Sequence, residues 1–202
     1  MMKKLLAQAL LGLAACAASA APETPPDIQR FAQRAVASGD SVQRPFAVVD
    51  KRQARVFVFG ADGRLRGTAP VLLGLAHGDR SVPGIGERQM SEIRPEERIT
   101  PAGRFVSEPG RNLQGEDITW IDYGAAVSMH RVRATNPAER RLERLASPGV
   151  DDNRISYGCI NVPADFYDAQ LKPVVGAARG VVYVLPESGP VGALFEFAAD
   201  PH

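Results

Sequence analysis

Two side chains in this sequence have types that could do nucleophilic chemistry together. One is Cys159, in the run Ser156-Tyr157-Gly158-Cys159-Ile160-Asn161; the other is His130, upstream in the stretch Ala125 to Val132. A thiol attacks only as its thiolate, so it needs a neighbour that takes its proton or stabilises the anion. A sequence-distant histidine brought close by the fold is the usual supplier. Its imidazole must be oriented through the other ring nitrogen. No Asp or Glu is adjacent in sequence, so the backbone carbonyl of Arg131 is the candidate orienter. Gly158 lets the chain turn sharply and would bring main-chain N–H groups to an oxyanion site. Ser156 and Asn161 place hydrogen-bonding groups on either side. The same residues also fit an inert buried thiol beside a satisfied core histidine, or a thiol paired between chains. On residue types alone these readings stay open.

The start of the chain bears on the compartment. Lys3 and Lys4, the apolar run Leu5 to Ala15 and the small-residue site Ala18-Ser19-Ala20 have the layout of a secretory signal peptide over 1–20. Leu13-Ala14-Ala15-Cys16 also resembles a bacterial lipobox, which would make Cys16 a lipid anchor rather than a discarded residue. Both readings export the protein to a bacterial periplasm or cell envelope. There, cysteines usually pair, yet Cys159 has no partner except Cys16. A net charge of +1 implies no attraction to nucleic acid. No other apolar run is long enough to span a bilayer. The remaining length of roughly 180 residues suits one domain, expected to be monomeric.

The elements that must position the pair read as mainly β. Sixteen prolines and nineteen glycines favour turns over a helical bundle. Asp27 to Ala37 has Ile28, Phe31, Ala32 and Ala35 on one helical face. Pro45 to Asp50, Arg55 to Phe59 and Arg64 to Leu73 read as a meander around the Asp62-Gly63 turn. Gly74 to Arg98 reads as a long functional loop. Thr100 to Phe105 turns into a further strand. Asp117 to Tyr123 and Ala125 to Val132 form a pair reversing at Gly124. Asn136 caps a helix from Arg140 to Ala146 with Leu142 and Leu145 inward. Pro163 to Leu171 opens another helix, Gly180 to Leu185 is a final strand, and Leu194 to Phe197 a candidate edge strand. The expected organisation is 21–44 as an N-terminal segment with a short helix, 45–186 as the main domain and 187–202 as a tail. His77 in the long loop and the Asp151-Asp152 pair fit solvated surface groups better than ligands. No metal or other cofactor is indicated.

The motif and its surroundings resemble the L,D-transpeptidase catalytic domain of bacteria. Ser156-Tyr157-Gly158-Cys159-Ile160-Asn161 is similar to that family's Ser/Thr-His-Gly-Cys signature, and His130 to its upstream histidine. Phe46 to Asp50 with Gln53 to Phe59, and Thr100-Pro101-Ala102-Gly103-Arg104-Phe105, resemble its opening strands and its Thr-Pro-x-Gly-x-Phe turn. Tyr157 departs from the pattern by standing where a histidine is usual. The interval from His130 to Ser156 is longer than usual, and Arg131 replaces a small residue. The resemblance implies a β-sandwich or barrel with a few peripheral helices. It implies a cysteine acyltransferase without cofactor, which cleaves a peptidoglycan tetrapeptide stem through a thioester and passes it to an amine in cell-wall cross-linking or remodelling. A hydrolase using water as acceptor (an L,D-carboxypeptidase) and a non-catalytic cell-wall-binding domain are the alternatives. Carbapenems are the inhibitors it implies. Gly158, Tyr157 and Arg131 are the oxyanion and orienting candidates; Ser156, Asn161, Arg154 and Arg133 are those for substrate binding. The Asn136 to Ala146 helix accounts for the longer interval, and this Arg-rich inserted helix and the Gly74 to Arg98 loop are the expected walls, with Arg reading stem carboxylates.

Overall fold

The computed structural model describes residues 24–199; the leader reading and Cys16 lie outside them. Among the described residues eleven strands form three sheets. The larger holds β1 (Phe46–Asp50), β2 (Arg55–Phe59), β3 (Leu65–Pro70), β5 (Gly103–Val106) and β11 (Val181–Leu185), in the order β3-β2-β1-β11-β5. The second holds β6 (Glu108–Arg111), β7 (Asp117–Asp122), β8 (Val127–Arg131) and β10 (Ile160–Val162), in the order β10-β8-β7-β6. Two short strands, β4 (Leu73–Gly74) and β9 (Arg154–Ser156), pair in parallel beside them. The fold is mainly β with a few helices.

Burial explains the apolar runs. β1 and β11 pair in parallel at the centre of the larger sheet, and every residue of both is buried. Strands covered on both faces read as continuous apolar runs rather than alternating ones. One face, with Ala47, Val49, Val56, Val58, Val182 and Val184, packs on Ile121, Val127, Met129, Ile160 and Val162 of the second sheet. The other, with Phe46, Phe57, Phe59 and Tyr183, is covered by α1 (Pro26–Ala37) through Ile28, Phe31, Ala32 and Ala35.

Several local expectations need correction. Leu194 to Phe197 is not a strand. Two 3-10 turns, Val191–Ala193 and Glu196–Ala198, put Phe195 and Phe197 around Phe31 and Tyr183, where edge-on aromatic packing replaces sheet pairing. Between β7 and β8 the left-handed residue is Ala126, φ 53°, rather than Gly124. The helix expected from Arg140 is divided. Asn136 Oδ1 accepts from the Ala138 N–H at 3.1 Å, capping a 3-10 turn, and Arg140 then takes φ 49° before α2 (Arg141–Ala146). That break rotates α2 so that Leu145 is buried and Leu142 points to solvent. The helix after Pro163 starts as α3 (Ala164–Phe166) and widens into a π-helical segment, Tyr167–Gly176, that holds Pro173. A proline N cannot donate, and a widened turn is one way a helix accommodates that. Among the described residues no helix is long and apolar enough to cross a membrane.

Candidate active site

Strands β8 and β10 run parallel with Ile160 opposite Met129 and Asn161 opposite His130. Cys159 ends the turn that enters β10, so this pairing brings the cysteine to the same sheet end as His130. Ser128 lies two residues before His130, and side chains alternate along a strand. Both therefore share one face of β8. Ser128 Oγ is 3.6 Å from Cys159 Sγ, and the Ala126 carbonyl also lies 3.6 Å from that sulfur. The free thiol is half-buried.

The turn carrying Cys159 is fixed from three directions. Ser156 Oγ donates to the Cys159 carbonyl at 2.6 Å and accepts from the Gly158 N–H at 3.1 Å. Thr100 Oγ1 donates to the Gly158 carbonyl at 2.8 Å while accepting from the Gly74 N–H at 2.8 Å. Gly158 has φ 127°, and a Cβ there would meet the Ile99 carbonyl oxygen at 2.8 Å. Glycine is required by both conformation and space.

His130 Nδ1 lies 2.8 Å from the Arg131 carbonyl oxygen. A carbonyl only accepts, so Nδ1 carries a hydrogen and Nε2 is the nitrogen left to exchange a proton with the thiol. Burial alone would push the Cys159 thiol up. The His130 imidazole, by hydrogen bonding and charge, and Ser128, through backbone and hydroxyl, outweigh burial and hold it below the ordinary thiol value.

Two cavities open on the pair, and both are lined by Cys159, His130 and Arg133. One, of about 330 Å³, has an apolar wall of Leu113, Ile118 and Trp120. The other, of about 360 Å³, has more polar side chains in its lining: Thr135, Asn136, Glu139, Arg141, Tyr157 and Asn161, together with Met90. Met90 comes from the long loop, which is organised by three 3-10 turns and by Arg88 and Arg94 on Glu97.

The sequence candidates separate in space. Cys159, His130, Tyr157, Ser156, Asn161 and Arg133 come together. Arg133 donates to Gln114 Oε1 at 2.8 Å and pairs with Glu116 at 3.4 Å, which holds its guanidinium at both cavities. The Tyr157 ring lies under the Arg98 guanidinium, 3.9 Å from carbon to centroid. Gly158 belongs to the turn, but its N–H is committed to Ser156 Oγ and is not an oxyanion donor. Arg131 reaches the site only through its carbonyl. Its guanidinium turns away to Asp117 and Asp168 and stacks on Tyr167, and both carboxylates are held below their ordinary range by it. Arg154 is absent from the site. It is buried, donating to Glu187 Oε2 at 2.5 Å and to the Lys51 carbonyl at 3.3 Å. A strand side chain inside the sheet cannot reach a cavity at its end. His77 joins the same group, with Nδ1 3.0 Å from Glu187.

Two residues were missed. Ser128 was legible from its two-residue spacing to His130. Arg141 lies in the Arg-rich helix expected to wall the site, but which of that helix's arginines turns inward had no such signal, because it depends on the left-handed Arg140. Among the described residues no group of three or more His, Cys, Asp or Glu side chains could hold a metal ion.

No known family profile matches the sequence, and no curated protein does. Solved structures do show likeness. An L,D-transpeptidase of Enterococcus faecium is 16% identical, over 70% of this chain and 50% of that one, with a TM-score of 0.41. The helical cell shape determining protein Pgp2 from Campylobacter jejuni is 14% identical, over 81% of this chain and 57% of that one, with a TM-score of 0.46. An L,D-transpeptidase from Mycobacterium tuberculosis is 18% identical, over 69% and 57%, with a TM-score of 0.40. The chain spans little more than half the length of these three. Identities this low leave the chemistry to be argued from the residues of the site itself.

Proposed function

We propose that this chain is a cysteine acyltransferase of the L,D-transpeptidase type acting on peptidoglycan stem peptides. The observation that carries the reading is the placement of Cys159 and His130 where two cavities meet. An acyl transfer needs one side for the donor and another for the acceptor, with the nucleophile reachable from both. The signature around Cys159 supplies the substrate class. His130 Nε2 takes the thiol proton as Sγ attacks the carbonyl of the stem's third residue, and returns it to the departing D-alanine amine. The resulting thioester then passes to an amine acceptor. Arg133 is the side chain for stem carboxylates, in place of Arg154. The Tyr157 hydroxyl is the oxyanion candidate left in the second cavity, since a phenol O–H can donate.

Export to the cell envelope belongs to the same proposal. Water is the alternative acceptor, and product analysis on purified muropeptides separates the outcomes: cross-linked dimer for a transferase, trimmed stem for a hydrolase. Incubation with a carbapenem followed by mass spectrometry should give one adduct, lost in Cys159→Ala. Failure of the wild-type chain to form it would leave a cell-wall-binding domain as the better reading.

A further inference from the structure

Asn161 is buried and its backbone is fixed on both sides, its N–H to the Leu72 carbonyl and its carbonyl to the Leu72 N–H, each at 2.9 Å. Its carboxamide lies between three groups. Oδ1 faces Arg141 Nη1 at 2.7 Å. Nδ2 lies 3.4 Å from the Cys159 carbonyl and 3.4 Å from His130 Nε2. A guanidinium only donates and a carbonyl only accepts, so this orientation of the amide is the one in which neither contact is repulsive. Turning it over would set NH2 against Arg141 and Oδ1 against the Cys159 carbonyl. Arg141 is itself held by Glu139, Nε to Oε2 at 2.5 Å. The inserted α2 thus reaches the catalytic pair through one side chain.

We propose that Arg141 is a positioning residue that locks the Asn161 carboxamide with its NH2 toward His130 Nε2, weighting the resting pair toward thiol and neutral imidazole. When Cys159 passes its proton to Nε2, the new N–H faces the amide NH2, donor against donor. Without Arg141 only the longer 3.4 Å contact with the Cys159 carbonyl opposes turning, and the amide can turn to accept from the imidazolium through Oδ1; with both contacts it is locked. Arg141 therefore opposes the ion pair through Asn161. Its own positive charge acts oppositely, because a nearby cation favours a thiolate. The two effects predict shifts of opposite sign when Arg141 is removed. The other charged or titratable groups lining the two cavities are Arg111, Arg133, Glu139 and Tyr157. In an Arg141 variant Glu139 loses its Arg141 partner, and its uncompensated negative charge acts in the same direction as the loss of the arginine's positive one.

The inference rests on Cys159 and His130 being a thiol–imidazole pair, but not on the substrate. It is tested by the pH dependence of Cys159 alkylation by iodoacetamide in the intact chain, with thermal melting on the same samples. Arg141→Ala should lower the pH midpoint by about half to one unit, the worth of one hydrogen bond. Arg141→Lys, which keeps a charge and a donor, should stay near wild type. The shift should vanish when Arg141→Ala is made in an Asn161→Ala background. A midpoint unchanged or raised in Arg141→Ala overturns the proposal, leaving only the charge effect. Should Asn161→Ala fail to fold, nitrogen-15 shifts of the His130 ring serve instead. Greater Nε2 protonation at a given pH in Arg141→Ala supports the lock, and equal protonation refutes it. Absence of any alkylation in wild type would count against the catalytic pair itself, whereas absence of muropeptide turnover leaves this test intact.

Discussion

At the scale of single residues, the reactivity of Cys159 is decided by a contest between burial and two neighbours. His130 and Ser128 win it. Because the thiolate is the reacting form, alkylation should set in at a lower pH than for a free cysteine. Ser128→Ala removes a stabilising contact and should move that onset upward, while His130→Ala should move it further. Rates with iodoacetamide across pH measure both, and a Ser128→Ala profile identical to wild type would show that the 3.6 Å contact contributes nothing. Gly158 gives a sharper expectation. Alanine there combines a left-handed φ of 127° with contact to the Ile99 carbonyl at 2.8 Å. Its cost should be about 2 kcal/mol or more in urea unfolding, with acylation lost. Ser156 changes meaning at this scale. Its hydroxyl bonds inside the turn on both sides, so Ser156→Ala should slow acylation by loosening Cys159 rather than by weakening substrate binding.

At the scale of elements, the long loop is tied to the sheets by a buried cation. Lys51 Nζ donates to the Gly78 carbonyl at 2.6 Å, Asp79 Oδ1 at 2.7 Å and the Thr100 carbonyl at 2.9 Å, with no side-chain exposure. Glu187 lies 3.5 Å from the same nitrogen and also accepts from Arg154 and the Gly78 N–H. Lys51→Met would leave these acceptors without their partner and should cost about 3 kcal/mol or more. Burial works to raise both carboxylates, but Lys51 on Asp79, and the Gly78 N–H and His77 on Glu187, more than reverse it. Folded values lie below unfolded ones. Their stabilisation is therefore complete above the ordinary carboxylate range and lost as pH falls through the depressed folded values. Acid unfolding monitored by circular dichroism should begin at higher pH in Lys51→Met than in wild type. The inserted α2 makes a separate point. Leu145→Ala should destabilise by about 2 kcal/mol and Leu142→Ala by almost nothing, because only Leu145 is buried.

At the scale of the whole molecule, the larger sheet is covered on both faces, and each cover depends on a different part of the chain. The second sheet brings the site; α1 and the C-terminal turns bring the aromatic cluster. Phe31 lies 5.2 Å by ring centroid from each of Tyr183, Phe195 and Phe197. Phe31→Ala should cost about 3 kcal/mol or more in urea unfolding, yet leave the pH profile of Cys159 unchanged, since the cluster is on the far side of the sheet. Residues 187–199 are thus tied to the domain at two points: Phe195 is buried in the aromatic cluster and Glu187 anchors the loop.

What the sequence determined by itself was set by local rules. The face of α1, the apolar runs of β1, β2 and β11, and a cysteine after a turn glycine all follow from periodicity and from the conformations each residue type tolerates. So did the Arg131 carbonyl as the group beside His130 Nδ1, because a strand residue without a neighbouring acid has little else to meet. Only the tertiary structure decided which arginines face the thiol. Arg131, Arg133, Arg141 and Arg154 look alike along the chain. Yet Arg131 and Arg154 are drawn off to carboxylates distant in sequence, Asp117, Asp168 and Glu187, while Arg141 is turned in by one left-handed residue. Charge pairing acts through space, and a long side chain takes the partner that the fold brings nearest. Spacing along a sequence does not carry that information.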